Sequence, residues 1–398
     1  MSGSNRLAQE IRDRIRKNGP VSFAWFMEQA LYHPLYGYYS TERTRIGQTG
    51  DFYTNVSVGD LFGTILAEQF LELFGLLGAP DNFKLVEQGA ENAQLAKDVL
   101  KALATEPKSS AWEYWIVEPS AQKIAIQKAH LGQTVIPVHW TQDPANLPAV
   151  TGIVFCNELL DALPCHLVEH NGEDWNEIHV EEKNGEFGFV SRPIDNRRLA
   201  NQMECLPVPS ITPYRTEVNL AALDWIKSAA RALSHGFILV IDYGFPSWEF
   251  YAPLRTEGTL TGYHQHQRQK DLLARPGEID ITAHIDFSSI AQAALSEGCT
   301  LVGFTDQHHF MVGAAEKRLR EIEQLANQGS ITSTNASGRR RTSTNVTGIQ
   351  RFLRQYKSLM HPHTMGLAFK YLLLGKGVSL SKVPSGFKYG KDPATALC

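Results

Sequence analysis

The chain has 398 residues, 43% of them hydrophobic, enough for one large domain with insertions or for two domains around a proper core. Its formal net charge of −4, from 38 basic and 42 acidic side chains, offers no basic surface for non-specific nucleic-acid binding. No run nears the roughly eighteen apolar residues of a membrane span, and the scattered Cys156, Cys165, Cys205, Cys299 and Cys398, with no C-x-x-C pair, point to neither a zinc site nor a disulfide framework.

Leu7, Ile11 and Ile15 space one face of a first helix. Arg6, Arg12, Arg14 and Arg16 have the look of a targeting peptide, but Glu10 and Asp13 interrupt them, so the segment reads as structural. Gly19-Pro20 breaks the chain, and Ser22 can cap a second helix carrying Phe23, Phe26, Met27 and Leu31. From Leu35 to Ser57 the composition turns polar and aromatic, the character of an ordered surface loop or of one lining a site. Leu61 to Leu77 is an apolar helix.

Phe83 to Glu87 then reads as a buried strand, Gly89 as the sharp turn after it, and Leu95, Val99, Leu100 and Leu103 as the apolar face of a helix. Strand, turn and helix open a doubly wound α/β domain, in which ligands sit beyond the carboxyl ends of the strands. Tyr114 to Val117 forms a second strand ending at Glu118, where a carboxylate can accept hydrogen bonds from both hydroxyls of a ribose. Ile153 to Phe155 runs into Asn157, Glu158 and Asp161, which leave the sheet on the same edge; if that stretch is helical, the two carboxylates share a face.

Leu167 to Arg192 alternates apolar and polar residues around Asn171-Gly172 and Asn184-Gly185, which marks an antiparallel insertion. Asn219 to Leu233 is a helix, and Phe237 to Ile241 a buried strand ending at Asp242-Tyr243-Gly244. Between Gly258 and Asp286 lie Tyr263, His264, His266, Asp280 and His284 in spacings that match no metal-ligand motif. Ile290 to Ala294 and Leu301 to Phe304 continue the alternation. Residues 328–348 are low in complexity and read as a mobile surface loop, before a helix at Phe352 to Met360 and a last strand at Phe369 to Leu374.

Several short motifs recur in one order: Gly37-Tyr38-Tyr39, Gly50-Asp51-Phe52, Val117-Glu118 with Ser120 and Gln127, Asn157 to Pro164, Asp242-Tyr243-Gly244, Gly258-Thr259-Leu260 with His266, and Asp280 to Phe287. With these the chain resembles, over nearly its whole length, the MidA-like family of class I S-adenosylmethionine (SAM)-dependent methyltransferases, whose mitochondrial members are complex I assembly factors that methylate a protein arginine. The resemblance implies an α/β fold: a Rossmann-like methyltransferase sheet with an N-terminal helical region and inserted antiparallel and helical segments. The expected division is 1–80, N-terminal helices and site loop; 81–165, the first part of the core; 166–215, the antiparallel insertion; 216–310, the core continued, with an acceptor loop at 244–287; and 311–398, the C-terminal part.

It also implies SAM as cofactor, held by Gly50, Asp51, Glu87, Gly89, Glu118 and Asn157, and a protein substrate bearing an arginine. Glu158, Asp161 and Asp242 are the expected catalytic carboxylates, since a guanidinium is best held by forked hydrogen bonds to such groups. Tyr243, His266 and His284 are expected at the acceptor site. No metal, nucleic acid or membrane partner is expected, and the missing transit peptide points to a bacterial-type cytoplasmic protein.

One departure stands out. Where the family resembles E-x-G-x-G-x-G, the chain has Glu87-Gln88-Gly89-Ala90-Glu91-Asn92-Ala93, keeping only the first glycine, and a carboxylate at Glu91 repels that of SAM unless it faces solvent or meets the ammonium. Thr261 replaces a family arginine. The lost glycines favour an alternative, a degenerate methyltransferase fold serving as an assembly scaffold. A nicotinamide-dependent dehydrogenase fits less well, because one glycine is a poor match for a pyrophosphate.

Overall fold

The computed structural model describes residues 3–40, 54–265, 267–327, 333–334, 340–341 and 344–397. Strands β1 (Phe83–Gln88), β2 (Trp112–Val117), β3 (Val138–Thr141), β4 (Val150–Asn157), β5 (Leu233–Phe245), β6 (Thr300–Asp306) and β7 (Phe369–Lys376) form the central sheet. Their order is β3-β2-β1-β4-β5-β7-β6, with β7 antiparallel to both neighbours and the other pairings parallel. The principal helices are α1 (Gly3–Asn18), α2 (Phe23–Tyr32), α3 (Leu61–Leu76), α4 (Gln94–Leu103), α5 (Ala121–Leu131), α6 (Leu220–Ala232) and α7 (Phe287–Leu295). The chain adopts the expected Rossmann-like α/β fold.

Strand periodicity divides the core. Phe237, Leu239 and Ile241 of β5 point to one face, with Phe155 of β4, Tyr371 of β7 and the buried residues of α3 and α4. Ile238 and Val240 point to the other, with Val154, Leu372 and the buried residues of α6 and α7. Burial on both faces explains why β5 reads as an unbroken apolar run. Strand order reverses between β1 and β4, and the crevice beyond their carboxyl ends is where such sheets bind ligands.

The insertion is a five-stranded antiparallel sheet built from Val21–Ser22, His166–His170, Trp175–Lys183, Glu186–Pro193 and Tyr214–Val218. Asn184 and Gly185 turn one hairpin with φ of 55° and 87°, a left-handed pair that asparagine and glycine tolerate. Ser22 caps α2, accepting from the Trp25 N–H at 3.2 Å. Leu7, Ile11, Phe23, Phe26 and Met27 of the N-terminal helices share a core with Leu167, Ile178 and Val180 of this sheet, which places the helices beside the crevice.

The structure departs from the sequence reading in several places. β3 is an edge strand whose Pro137 and His139 hide its periodicity. Helices also form at Gln307–Ala314, Glu316–Asn327 and Pro393–Leu397, and the helix read from Phe352 begins at Thr344. Most of the low-complexity stretch lies outside the described residues.

Gly152 and Gly236 face each other across β4 and β5. A Cβ at Gly152 would stand 2.0 Å from the Lys84 carbonyl oxygen, and one at Gly236 2.0 Å from that of Gly152. Gly152→Ala is expected to cost about 3 kcal/mol or more of stability, read as a lowered midpoint in denaturant unfolding.

Candidate active site

The turn after β1 begins at Gly89, with φ of +83°. Glu91 and Ala93, the two positions that depart from glycine, have φ of +47° and +64°. The backbone therefore keeps a left-handed shape that glycine adopts freely and an L-residue adopts at about 1 kcal/mol or more. Local bonds enforce it. The Ala93 N–H donates to the Ala90 carbonyl at 2.6 Å, and the Gln94 N–H, opening α4, donates to Asn92 Oδ1 at 3.0 Å.

The Glu91 carboxylate does not stand alone. Lys123, in the first turn of α5, places its Nζ 3.1 Å from Glu91 Oε2. Gln127 Nε2 donates to the Glu91 carbonyl at 3.0 Å and to Glu118 Oε2 at 3.2 Å, and Trp140 Nε1 fixes the same amide by donating to Gln127 Oε1. Glu118 also accepts from the Ser120 N–H at 2.9 Å. Burial raises the Glu118 carboxyl above the usual range while Lys123 and these donors pull it back. Each oxygen retains a further lone pair for a hydroxyl. Beneath them Glu87 is buried with the Tyr114 hydroxyl donating at 2.6 Å, and burial lifts its pKa to about 7.

Residues 157–164 do not form a helix, so the shared face of Glu158 and Asp161 arises differently. Glu158 takes a left-handed φ of +53° and its N–H donates to the Ile241 carbonyl at 3.0 Å. The chain then wraps the carboxylate of Asp242. Its Oδ2 accepts from the N–H groups of Leu159 at 3.2 Å, Leu160 at 2.8 Å and Asp161 at 3.4 Å, and its Oδ1 from Tyr243 at 2.8 Å. Asp242 is fully buried, and these donors favour its charged form.

Asp161 has a different environment. Burial and the neighbouring Asp242, Glu158 and Asp280 push its carboxyl well up. Of the Asp161–Asp242 pair, the carboxyl without the amide cage holds the proton. Glu158 accepts from Asn157 Nδ2 at 3.0 Å and is raised by burial to about 8. Asp280, absent from the candidates drawn from sequence, completes the set. The Tyr39 hydroxyl donates to it at 2.9 Å, and the Ala283 N–H beside it donates to the Asp161 carbonyl at 2.9 Å. Its signal in the sequence was a carboxylate opening the Asp280 to Phe287 motif.

The Tyr243 ring lies 4.0 Å from that of Phe369 and stacks on His284 at 6.1 Å, and Glu158, Asp161 and Asp242 raise its hydroxyl pKa after burial. His284 thus joins the wall behind Tyr243 rather than the carboxylates, and burial lowers its pKa to about 4. Tyr32, which donates to the Ala162 carbonyl at 3.1 Å, stacks on Tyr39 at 5.4 Å and closes the other side. The Thr261 hydroxyl accepts from Arg268 Nε at 3.1 Å. Gly50, Asp51 and His266 lie outside the described residues. Among the described residues, no group of three or more His, Cys, Asp or Glu is arranged to hold a metal ion.

Residues 65–305, more than half of the chain, match the family model described as "Putative S-adenosyl-L-methionine-dependent methyltransferase". A crystal structure of a Burkholderia thailandensis protein bound to S-adenosyl-homocysteine is 29% identical, with a TM-score of 0.84 over 99% of this chain and 97% of that one. The human mitochondrial protein arginine methyltransferase NDUFAF7 is 27% identical over 92% of this chain and 83% of its own, and its Caenorhabditis elegans homolog 27% over 81% and 79%. The chain belongs to this family of SAM-dependent methyltransferases.

The residues present fit that cofactor. Glu118 offers acceptors at the end of β2, and Asn157 Oδ1 at the end of β4 is buried without a partner among the described residues. The turn after Gly89 keeps its left-handed backbone at Glu91 and Ala93, so the lost glycines do not by themselves imply a degenerate scaffold.

Three substitutions test this geometry. A Cβ at Gly89 would meet Leu159 at 3.1 Å in a left-handed backbone, so Gly89→Val is expected to abolish S-adenosyl-homocysteine binding in calorimetry. Ala93→Gly, exchanging strain for chain entropy, should stay within about 1 kcal/mol of the parent in stability. Asp242→Asn replaces an acceptor-only group by one with an NH2 that must face a backbone donor. It is expected to cost about 2 kcal/mol in thermal unfolding.

Proposed function

We propose that this methyltransferase acts on the guanidinium of a protein arginine. The observation that carries the reading is the acid set of Glu158, Asp161 and Asp280 under the Tyr32–Tyr39 wall. Burial and other carboxylates, not a cation, dominate the environments of Glu158 and Asp161 among the described residues. A set of this kind is unfavourable until a cation enters. A guanidinium, charged at all ordinary pH and planar, supplies forked donors to two carboxylates at once. The naming of the human and nematode relatives as protein arginine methyltransferases supports the same acceptor.

In this reading Gly89, Glu87, Glu118, Asn157 and the Gly50-Asp51 segment hold the cofactor, which supplies an electrophilic sulfonium methyl. The chain's own contribution is alignment and proton management. Glu158 and Asp161 grip the guanidinium and turn one nitrogen toward the crevice at Gly89. Glu158 then accepts the proton that this nitrogen loses. Asp242 acts at one remove, as the positioning residue whose carboxylate holds the loop bearing both acids. Tyr243, backed by His284, forms a flat wall for the planar group, and His266 is proposed as a further acceptor-site residue.

Protonation of Glu158 gives the reading a pH signature. Its carboxyl is neutral in the free protein below about 8 and must ionise to meet a cation, so acceptor binding strengthens as pH rises, and Asp161, raised in the same direction, adds to the trend. Below about 8, acceptor KM is expected to fall by up to about tenfold per pH unit from Glu158 alone. Glu158→Gln should raise KM and flatten the profile. The acceptor itself is tested by incubating the protein with radiolabelled SAM and a cell extract, then hydrolysing the labelled proteins to amino acids. Label in methylarginine is the expected result; label confined to lysine or another residue overturns the assignment.

A further inference from the structure

Lys123 and Glu91 sit where neither stabilises its own element. A cation in the first turn of a helix opposes the helix dipole, and Glu91 holds a left-handed φ of +47°. Local stability therefore explains neither residue. Together they bring opposite charges to 3.1 Å, with side chains 23% and 32% exposed, so the pair is reachable from the crevice. Gln127 ties the Glu91 carbonyl to the Glu118 carboxylate. This places the pair within one side chain of the proposed ribose anchor and beside the Gly89 turn. Lys123 Nζ also lies 5.5 Å from the centroid of Tyr39, whose hydroxyl reaches Asp280.

The amino-acid end of SAM carries a carboxylate, and among the described residues the charged side chains at the ends of β1, β2 and β4 are acidic. Glu87, Glu118, Glu158 and Asp161 are all buried or nearly so, and the Lys123 charge pulls the burial-raised Glu118 carboxyl back down. We propose that Lys123 anchors the cofactor's α-carboxylate, with Glu91 as the counter-ion that holds the ammonium over the crevice when no ligand is present. The carboxylate displaces or shares Lys123, and Glu91 is left to face the α-ammonium on the same carbon. A zwitterion thus meets a pair of the opposite polarity. In this arrangement the acid that replaced a glycine is part of the recognition and not an obstacle to it.

The proposal rests on the cofactor assignment, and two probes separate them. S-adenosyl-homocysteine carries the amino-acid end; 5′-methylthioadenosine shares the adenosine and thioether but lacks it. Calorimetric titrations of the full chain would compare the parent, Lys123→Met and Lys123→Arg, with thermal melts without ligand to check folding. Lys123→Met is expected to weaken S-adenosyl-homocysteine by about tenfold or more, as loss of a charge-assisted hydrogen bond implies, and to leave methylthioadenosine within about twofold. Lys123→Arg should restore most of the loss. Equal losses for the two ligands, or no loss for S-adenosyl-homocysteine in a parent that binds it, overturn the role of Lys123. A parent that binds neither overturns the cofactor assignment as well.

Discussion

The structure depends on one buried anion. Asp242 lies near the carboxyl end of strand β5 with no exposure to water, a position in which a charge is tolerated only if donors surround it. The donors are backbone N–H groups, three of them from Leu159, Leu160 and Asp161. The loop after β4 is therefore folded around the end of β5, and that folding aims Glu158 and Asp161. The same cage separates the acids electrically. Burial pushes the Asp242 carboxyl up to about 7 and the surrounding amides hold it back, while burial and the neighbouring carboxylates push Asp161, which lacks that cage, up further.

The loop is also the link between the two halves of the site. Leu159 leaves only 3.1 Å to a Cβ on Gly89, closer than ordinary contact, so the cofactor turn and the acid loop pack against each other directly. Tyr39 bridges the same halves from above, with its hydroxyl on Asp280 and its ring beneath Lys123. A cofactor and an acceptor set in these places would meet across a single layer of side chains. That proximity, and not a strongly reactive protein group, is what a transfer between two bound partners requires.

Motif residues and motif geometry are separable here. At Glu91 and Ala93 the glycines are lost and the left-handed backbone remains, held by the Ala90 carbonyl and the Asn92 side chain. The strain at each position is small beside the packing of β1 and α4 that imposes it. A carboxylate that enters such a turn must be neutralised, and Lys123 does so from the neighbouring helix. The chemistry of the turn has thus changed while its shape has not.

Residue order alone carried strands β1, β2, β4, β5 and β7 of the sheet, the antiparallel insertion and the candidacy of Glu118, Asn157, Glu158 and Asp161. Apolar periodicity and the carboxylate or amide at each strand end are local properties, and they survive in the linear order of residues. Its motifs also carried the family. The tertiary structure alone decided what was not local. Asp242 turned from an expected participant into the clamp of a loop 80 residues away because its partners are backbone amides, which no residue type announces. Asp280 and Lys123 joined the site from separate segments because α5 and the strand at Asp280–Thr282 converge on one crevice. The turn at Glu91 kept its shape because backbone conformation follows from packing as well as from residue identity, and only three-dimensional contact shows which of the two prevails.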